Sequence, residues 1–312
     1  MISGRWFRSR AAGPWALLAC GALLAGAACG ASDNGGAVGG PISRVQPGPA
    51  GALHDKLPAA IAKAGVLRVG AAVGRAPLLF YATGTNATEG IDSDLLGAMS
   101  RQLGVTLTIV NDPLVQLGPD LLAHRIDAFA SGFVDIKPFE GAGIDFVDYM
   151  TGRSAVLVKQ GNPSKVRGPD DLCGRSVGVM AGTAQQLAAS HLDTACKSRN
   201  RTVLSVHAAG NHAALLTQLT GGQIDALLDD SVVAQYTSQE STGAASVQLV
   251  GASIDPLPYG IGVAKAATQM RDALRAALQA VIRDGEYDAA LSRWGGEVDA
   301  LRTAPINAGP AL

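Results

Sequence analysis

The pattern of apolar and polar positions changes character twice along the chain. An uncharged apolar run extends from Ala11 to Ala28, and a stretch poor in large apolar side chains covers residues 30–51. In residues 52–312, short β-branched runs alternate with longer runs in which apolar residues recur every three to four positions. This alternation predicts strands that follow helices, and therefore an α/β fold with parallel strands.

The alternation occurs in two cycles. In the first cycle the pattern predicts helices over 57–64, 90–103 and 117–124, and strands over 66–70, 105–110 and 126–130. In the second it predicts strands over 177–180, 203–207 and 224–228, and helices over 183–191 and 212–219. The tripeptide Ile-Asp-Ala follows a leucine-rich helix in both cycles. The repeated order and spacing predict two similar lobes.

The last part of the chain is too short for a third domain. It contains a predicted strand over 259–264 and predicted helices over 270–282 and 287–294. We expect it to pack back on the first lobe, which requires two extended crossings, near 150–156 and 248–258. The first lobe then comprises 52–152 plus 253–312 and the second 153–252, with a ligand cleft between them. The Ala-Pro and Gly-Pro pairs after residue 303 predict a loose end.

The apolar run near the N-terminus has the features of a secretory signal. Three arginines precede it within residues 5–10, and small residues flank Cys29 at its end. The sequence around Cys29 resembles the lipobox of bacterial lipoproteins, in which this cysteine carries the lipid. Cys20 is a second candidate, and a plain transmembrane anchor is the alternative. We interpret 1–29 as a lipoprotein signal peptide and 30–51 as a flexible linker.

Composition and cysteine usage narrow the function further. The formal net charge is −1, and no basic stripe is present, which excludes a typical nucleic-acid-binding surface. Cys173 and Cys196 are the two cysteines outside the leader. Outside the cytoplasm such a pair predicts a disulfide, and its spacing matches neither a CxxC redox pair nor a zinc pattern. We therefore predict no metal and no cofactor.

Five sequence blocks occur in an order that is similar to a known family. They are Gly90–Leu96, Asp171–Val179 with Gly182-Thr183, Asp225–Asp230, Tyr259–Val263 and Gly285–Gly295. Behind a lipoprotein leader, they resemble the extracellular solute-binding proteins that supply ABC importers with polar amino acids, over about Leu57 to Gly295. The resemblance implies a type II periplasmic-binding-protein fold, with two α/β lobes joined by two crossover strands around a ligand cleft. It implies a lipid-anchored monomer on the extracytoplasmic face of the membrane, with a small polar solute as ligand and an ABC permease as partner.

The resemblance also indicates which residues line the cleft. They are Arg75, Leu78, Ser131, Gly132, Phe133, Gly182, Thr183 and Asp230. Asp230 matches the acid that holds the ligand ammonium, and a solvated or capping acid is the alternative. Asp229 is expected to face away or to cap the next helix. Free N–H groups at the helix start near Gly182-Thr183 favour a carboxylate, although a plain N-cap is the alternative. Phe133 covers either the ligand or the core.

One feature of the family is missing. The family carries an arginine after the first-lobe strand, and this arginine pairs with the ligand carboxylate through two hydrogen bonds. Residues 134–140 contain no arginine, and Phe139 or Glu140 occupies its position. A charged contact of this kind contributes about 1.5 to 3 kcal/mol.

Three interpretations of the missing arginine remain open. Lys137 or Arg75 supplies the positive charge from another direction. Alternatively, the ligand lacks a carboxylate and is a cation held by Asp230, with Asp135 or Glu140. In the third interpretation the chain binds solute poorly and has a different role.

Two other classes of function compete with solute transport. A sensor or interaction lipoprotein would use the same cleft and dock on a membrane receptor. Some dehydratases resemble this family, but the sequence has neither a phosphate loop nor a Gly-x-Ser-x-Gly elbow, and its five histidines lack metal-site spacing. We therefore predict a binding protein without catalytic residues.

Overall fold

The computed structural model describes residues 43–45 and 51–311. The predicted signal peptide, with Cys20 and Cys29, lies outside these residues. Within the described ranges, no helix combines the length and apolar character that crossing a membrane requires.

The strands form one large mixed sheet and a small hairpin. The strands are β1 Ser43–Val45, β2 Val66–Ala71, β3 Phe80–Tyr81, β4 Thr88–Glu89, β5 Thr106–Asn111, β6 Ala128–Phe129, β7 Ile144–Lys159, β8 Ser176–Met180, β9 Ser205–Ala209, β10 Ala226–Asp230 and β11 Val247–Ala264. The large sheet has the order β1-β5-β2-β6-β11-β7-β10-β8-β9, while β3 and β4 pair with each other. This arrangement confirms the predicted α/β class.

The strand directions divide the large sheet into two parallel groups. Strands β5, β2 and β6 are parallel neighbours, and so are β10, β8 and β9. Between the groups lie β7 and β11, which pair with each other in antiparallel register from Ile144↔Ala264 to Lys159↔Val247. The register shifts fall between Val250 and Gly260, next to the predicted crossings. The two long strands are therefore shared by both halves.

The helices follow the predicted alternation with shifted ends. They are α1 Ala59–Ala64, α2 Ile91–Leu103, α3 Leu114–Leu122, α4 Lys137–Gly141, α5 Ala184–Ser198, α6 His212–Thr220, α7 Ser231–Glu240, α8 Thr268–Arg283 and α9 Glu286–Trp294. Helix α3 begins earlier than predicted because Pro113 is compatible with a helix start. Helix α5 is longer than predicted because the buried Cys196 continues its apolar face beyond residue 191. Helix α8 packs against α2, as expected for a chain end that returns to the first lobe.

The predicted disulfide between Cys173 and Cys196 is present. It joins the segment before β8 to α5, and Cys196 is 1 % exposed within an apolar cluster of the second group of strands. A second cluster contains Phe129 and Phe146 together with Leu215 and Leu219, so both halves contribute to it. The two halves are therefore in direct apolar contact.

The prediction of a loose C-terminal end is wrong for the described part of that segment. Ala304 is fully buried, the Ala308 N–H donates to Asp148 Oδ2 at 3.1 Å, and the Gly309 N–H donates to Asp135 Oδ2 at 2.7 Å. The buried carboxylates hold this backbone because they would otherwise lack partners. The predicted linker also differs in one place, since Ser43–Val45 pairs with β5 as an edge strand.

Candidate functional site

The candidate site lies where the parallel strands of both groups end. Arg75 follows β2 and Ser131 follows β6, while Thr183 follows β8 and Asp230 is the last residue of β10. Ligand sites of α/β proteins commonly form at the carboxyl ends of such strands. A Cβ built on Gly182 would lie 3.0 Å from Cγ1 of Val115, so the two halves approach each other closely here.

Arg75 is buried at the base of this region. Its loop is fixed by its own backbone, since the N–H groups of Gly74 and Arg75 both donate to the Leu79 carbonyl at 2.9 Å. The side chain is 2 % exposed, and Nη1 donates to the Ser131 carbonyl at 3.2 Å. The buried Nε has no hydrogen-bond partner. A buried cation with an unused donor is suited to an anionic group of a ligand.

For Asp230 the structure shows the capping acid that was the alternative to a ligand-binding acid. It is fully buried and caps α7, where Oδ1 accepts from the Val232 N–H at 3.0 Å. Its Oδ2 accepts from the Tyr259 hydroxyl at 2.5 Å, and Gln185 Nε2 donates to that hydroxyl at 3.2 Å. Burial raises the pKa of Asp230, although Arg75 and Tyr259 oppose this shift. Both oxygens of the carboxylate are thus occupied by groups of the protein.

A second buried acid, Asp92, belongs to the same region. The Gly132 N–H donates to the Tyr149 hydroxyl at 3.1 Å, and that hydroxyl donates to Asp92 Oδ1 at 2.7 Å. Burial raises the pKa of Asp92 to about 7, while Tyr149 and Arg75 lower it. Sequence reasoning included Asp92 in the Gly90–Leu96 block but assigned it no role in the site. The apolar surroundings of the block were the signal for a buried acid.

Asp229, the residue before Asp230 on β10, does not cap α7. Its Oδ2 lies 2.6 Å from His212 Nε2, and its Oδ1 accepts from the Asp230 N–H at 2.9 Å. Burial alone would raise the pKa of Asp229, but His212 and Arg75 hold it below its usual value. Adjacent acids on β10 therefore have different partners because successive side chains leave a strand on opposite faces.

A cavity of about 410 Å³ opens beside Arg75. It is lined by residues from both halves, namely Ala72, Val73, Gly74, Arg75, Asn111, Asp112, Pro113, Met180, Gly210, Asn211, His212 and Ala213. Arg75 and Asp112, a basic and an acidic residue, are therefore both among the residues of its wall. Sequence reasoning missed Asn111 and Asp112, although Asn111 ends the strand β5 and Asp112 follows it, so that both lie at the same edge of the sheet as Arg75.

Several predicted site residues are not among the residues that line this cavity. Thr183 Oγ1 donates to the Met180 carbonyl at 2.7 Å, and the Gly182 N–H donates to Gln186 Oε1 at 2.9 Å. Phe133 contacts Phe129 and other aromatic rings of the core, and Leu78 is 1 % exposed.

The structure shows where the residues named in the first two interpretations of the missing arginine lie. Lys137 donates from Nζ to Glu140 Oε1 at 2.7 Å and also contacts Asn307, while Asp135 is bonded to the C-terminal segment. Phe139 belongs to the aromatic cluster around Phe133. Of these candidates, Arg75 is the residue that lines the cavity.

Comparisons with known proteins agree with this architecture. Residues 67–297 match the family model of bacterial extracellular solute-binding proteins, family 3. The arginine-binding protein ArgT of Corynebacterium glutamicum is 27% identical over 271 residues, covering 86% of each chain. The lysine/arginine/ornithine-binding periplasmic protein of Escherichia coli is 27% identical over 205 residues, covering 64% of this chain and 76% of its own.

Solved structures show the same fold. An ancestral arginine-binding protein bound to arginine superposes with a TM-score of 0.65 at 28% identity, covering 74% of this chain and 98% of its own. An ancestral amino acid-binding protein, described as a precursor of cyclohexadienyl dehydratase, gives 0.66 at 27% identity, covering 75% and 97%. These neighbours are type II periplasmic binding proteins, which confirms the predicted fold class. Because the family model matches most of this chain, residues 67–297, the chain belongs to the bacterial extracellular solute-binding proteins of family 3.

Proposed function

We propose that this chain captures a small amino acid between its two lobes and presents the closed form to an ABC permease. The observation that supports this most directly is the cavity of about 410 Å³, whose wall is contributed by both halves. Its volume is within the range of small-molecule sites. The relatives are named as binding proteins for arginine, lysine, ornithine and histidine, so an amino acid is the class of solute that they suggest.

The charges on the cavity wall suit a zwitterion. We propose that Arg75 binds the carboxylate of the solute and that Asp112 attracts its ammonium. Ser131 supports Arg75 through its carbonyl, and Gly132 lies beside the guanidinium, since a Cβ there would be in ordinary contact with Nη1 at 3.4 Å. We assign Asp230, with Gly182 and Thr183, to the second lobe, which closes over the solute, and we propose that Leu78 and Phe133 support the first-lobe side of the site.

We propose binding without chemical change. The relatives are named as binding proteins, whereas one structural neighbour is a precursor of a dehydratase. The acids Asp229 and Asp230 both have their oxygens occupied by internal donors, which leaves neither in position to transfer a proton to a solute. Conversion of the solute, followed by mass spectrometry, would contradict this assignment.

The binding assignment is tested by blocking the cavity. Ala213 is exposed on its wall, so Ala213→Trp is expected to fill part of the space and to weaken binding of the solute at least about hundredfold. Isothermal titration of the purified chain against the standard amino acids identifies the solute and measures the loss. Ala289→Trp is the matched control, because Ala289 is also an exposed alanine on a helix but does not line the cavity.

The control is expected to bind like the unchanged chain. Absence of binding across the whole panel would contradict the proposed function and favour a sensor or interaction role. Equal binding by both tryptophan variants would place the solute elsewhere.

We also propose that Cys29 carries a lipid and holds the protein on the extracytoplasmic face of the membrane as a monomer. Cys29→Ser is expected to move the protein from the membrane fraction to the soluble extracytoplasmic fraction, because a lipid chain supplies the membrane affinity. Cys20→Ser is the matched control and is expected to stay with the membrane. Fractionation followed by immunoblotting measures both, and release of the Cys20 variant alone would reassign the lipid.

A further inference from the structure

We propose that Arg75 is a built-in cation of the cleft, which restricts the solute to amino acids whose side chain carries no positive charge. This inference deepens the proposed function, on which it rests, because it names the class of solute for the same cavity. It separates this chain from relatives that are named for arginine, lysine and histidine.

The acids that would attract a cationic side chain already accept hydrogen bonds from groups of the protein. Asp230 accepts from Val232 and Tyr259, and Asp229 accepts from His212 and from the Asp230 N–H. Both residues are at most 4 % exposed. A solute cation would have to displace these donors, so the pair offers no open anionic site.

Arg75 lies within this acidic region. A Cβ built on Gly132 would be 3.4 Å from Arg75 Nη1 and 3.2 Å from Tyr259 Cε2, so the guanidinium and the Tyr259 ring contact the same glycine. The Tyr259 hydroxyl in turn bonds to Asp230. Burial raises the pKa of Asp92 and Asp230, and the positive charge of Arg75 opposes that rise; with His212 it also holds the pKa of Asp229 below its usual value. One buried guanidinium therefore balances acids from both halves.

Coulomb repulsion then selects against a second cation. Two like charges about 5 Å apart at an effective dielectric constant of about 20 repel strongly enough to weaken binding about hundredfold. The wall also carries the acid Asp112, which can balance the single ammonium of a zwitterion. A basic side chain would bring a second positive charge, for which the engaged acids leave no partner.

The donors left on Arg75 favour a carboxylate. Nη1 is used by the Ser131 carbonyl, while the buried Nε has no partner. A buried donor without an acceptor costs free energy that a carboxylate would recover. A solute carboxylate at Nε would also offset the local positive charge. Arg75 therefore binds the carboxylate of the solute and repels a positively charged side chain.

The test compares the unchanged chain with Arg75→Ala and Arg75→Lys. We expect the unchanged chain to bind at least one neutral or acidic amino acid, and to bind arginine and lysine at least about hundredfold more weakly. Arg75→Ala removes the cation together with its carboxylate contact, so the preference for neutral amino acids over arginine should fall at least about tenfold. Low-millimolar guanidinium chloride should raise its melting temperature, because the free ion replaces the lost group.

Two controls make the result specific. Sodium chloride at the same ionic strength should not stabilise Arg75→Ala, and Arg75→Lys keeps the charge and should still exclude arginine. Circular dichroism shows that the variants are folded. The proposal is overturned if the unchanged chain binds arginine as tightly as neutral amino acids, or if folded Arg75→Ala excludes arginine as strongly as the unchanged chain and is not stabilised by guanidinium.

These outcomes are distinguishable from failure of the proposed function. If the unchanged chain binds no amino acid, the proposed function fails. The role of Arg75 is still decided by whether guanidinium stabilises Arg75→Ala but not the unchanged chain.

Discussion

Asp148→Asn is expected to raise the free energy of unfolding by up to about 4 kcal/mol above pH 7 and to leave it nearly unchanged near pH 4. The reason is a pair of buried acids, Asp148 and Asp135, under the C-terminal segment. Each accepts one backbone N–H from that segment, and the other oxygen of each has no partner. Burial, followed by the charge of Asp135, raises the pKa of Asp148 from 3.8 to about 7.

The sign of the pH dependence follows from this direction. The native state keeps a proton on Asp148 that the unfolded chain releases, so the stabilisation is complete below pH 3.8 and is lost as the pH rises through about 7. An asparagine keeps the shape of the protonated acid and does not ionise. The acids Asp92 and Asp299, with pKa values raised to about 7 and about 6 by burial, act in the same direction. The variant should therefore show a shallower pH profile rather than a flat one.

Urea unfolding followed by circular dichroism between pH 4 and pH 8 measures the effect. Glu140 and Lys137 face the pair and pair with each other, so both remain unchanged in the experiment. Asp288→Asn is the matched control, because Asp288 is 62 % exposed and should keep the original profile. An unchanged profile in Asp148→Asn would show that this acid is ionised in the folded protein.

The second large effect is expected from the disulfide. Replacing Cys173 and Cys196 together by alanine should lower the free energy of unfolding by about 3 kcal/mol, because the bridge closes a loop with a sequence separation of 23. Without the bridge, the unfolded chain regains the conformational freedom of that loop. Burial of Cys196 adds a smaller loss of packing.

Chemical unfolding with and without a reducing agent measures this effect. Reduction should lower the stability of the unchanged chain toward that of the double variant, and should not change the double variant further. Equal stability of the two proteins under oxidising conditions would show that the bridge contributes nothing. A loss that reduction cannot reproduce would point to packing instead.

Most helices and strands could be predicted from local sequence patterns. The strand β2 and the helix α2 match their predicted spans within a residue or two, because their apolar positions face one continuous core. The small hairpin of β3 and β4 was missed, since two-residue strands carry no periodicity. The lengths of β7 and β11 were underestimated, because each strand runs through both halves of the sheet.

The sequence predicted only the approximate location of the candidate site. Strand ends pointed to Arg75, Ser131, Thr183 and Asp230, but the sequence could not show which groups these side chains would bond. The Asp230 carboxylate accepts a hydrogen bond from the hydroxyl of Tyr259, a residue 29 positions away. This pairing depends on the register between β7 and β11.

By itself, the sequence determined the α/β class, the two cycles of elements, the disulfide and the family, because each depends on local periodicity, motif order or residue type. Only the tertiary structure decided the chemistry of the cleft. It buried Arg75 among acids from both halves, engaged Asp229 and Asp230 with internal donors, and placed the C-terminal segment over Asp135 and Asp148. The physical reason is that charge pairing and desolvation depend on distances of a few ångström between residues far apart in the chain, which no local pattern encodes.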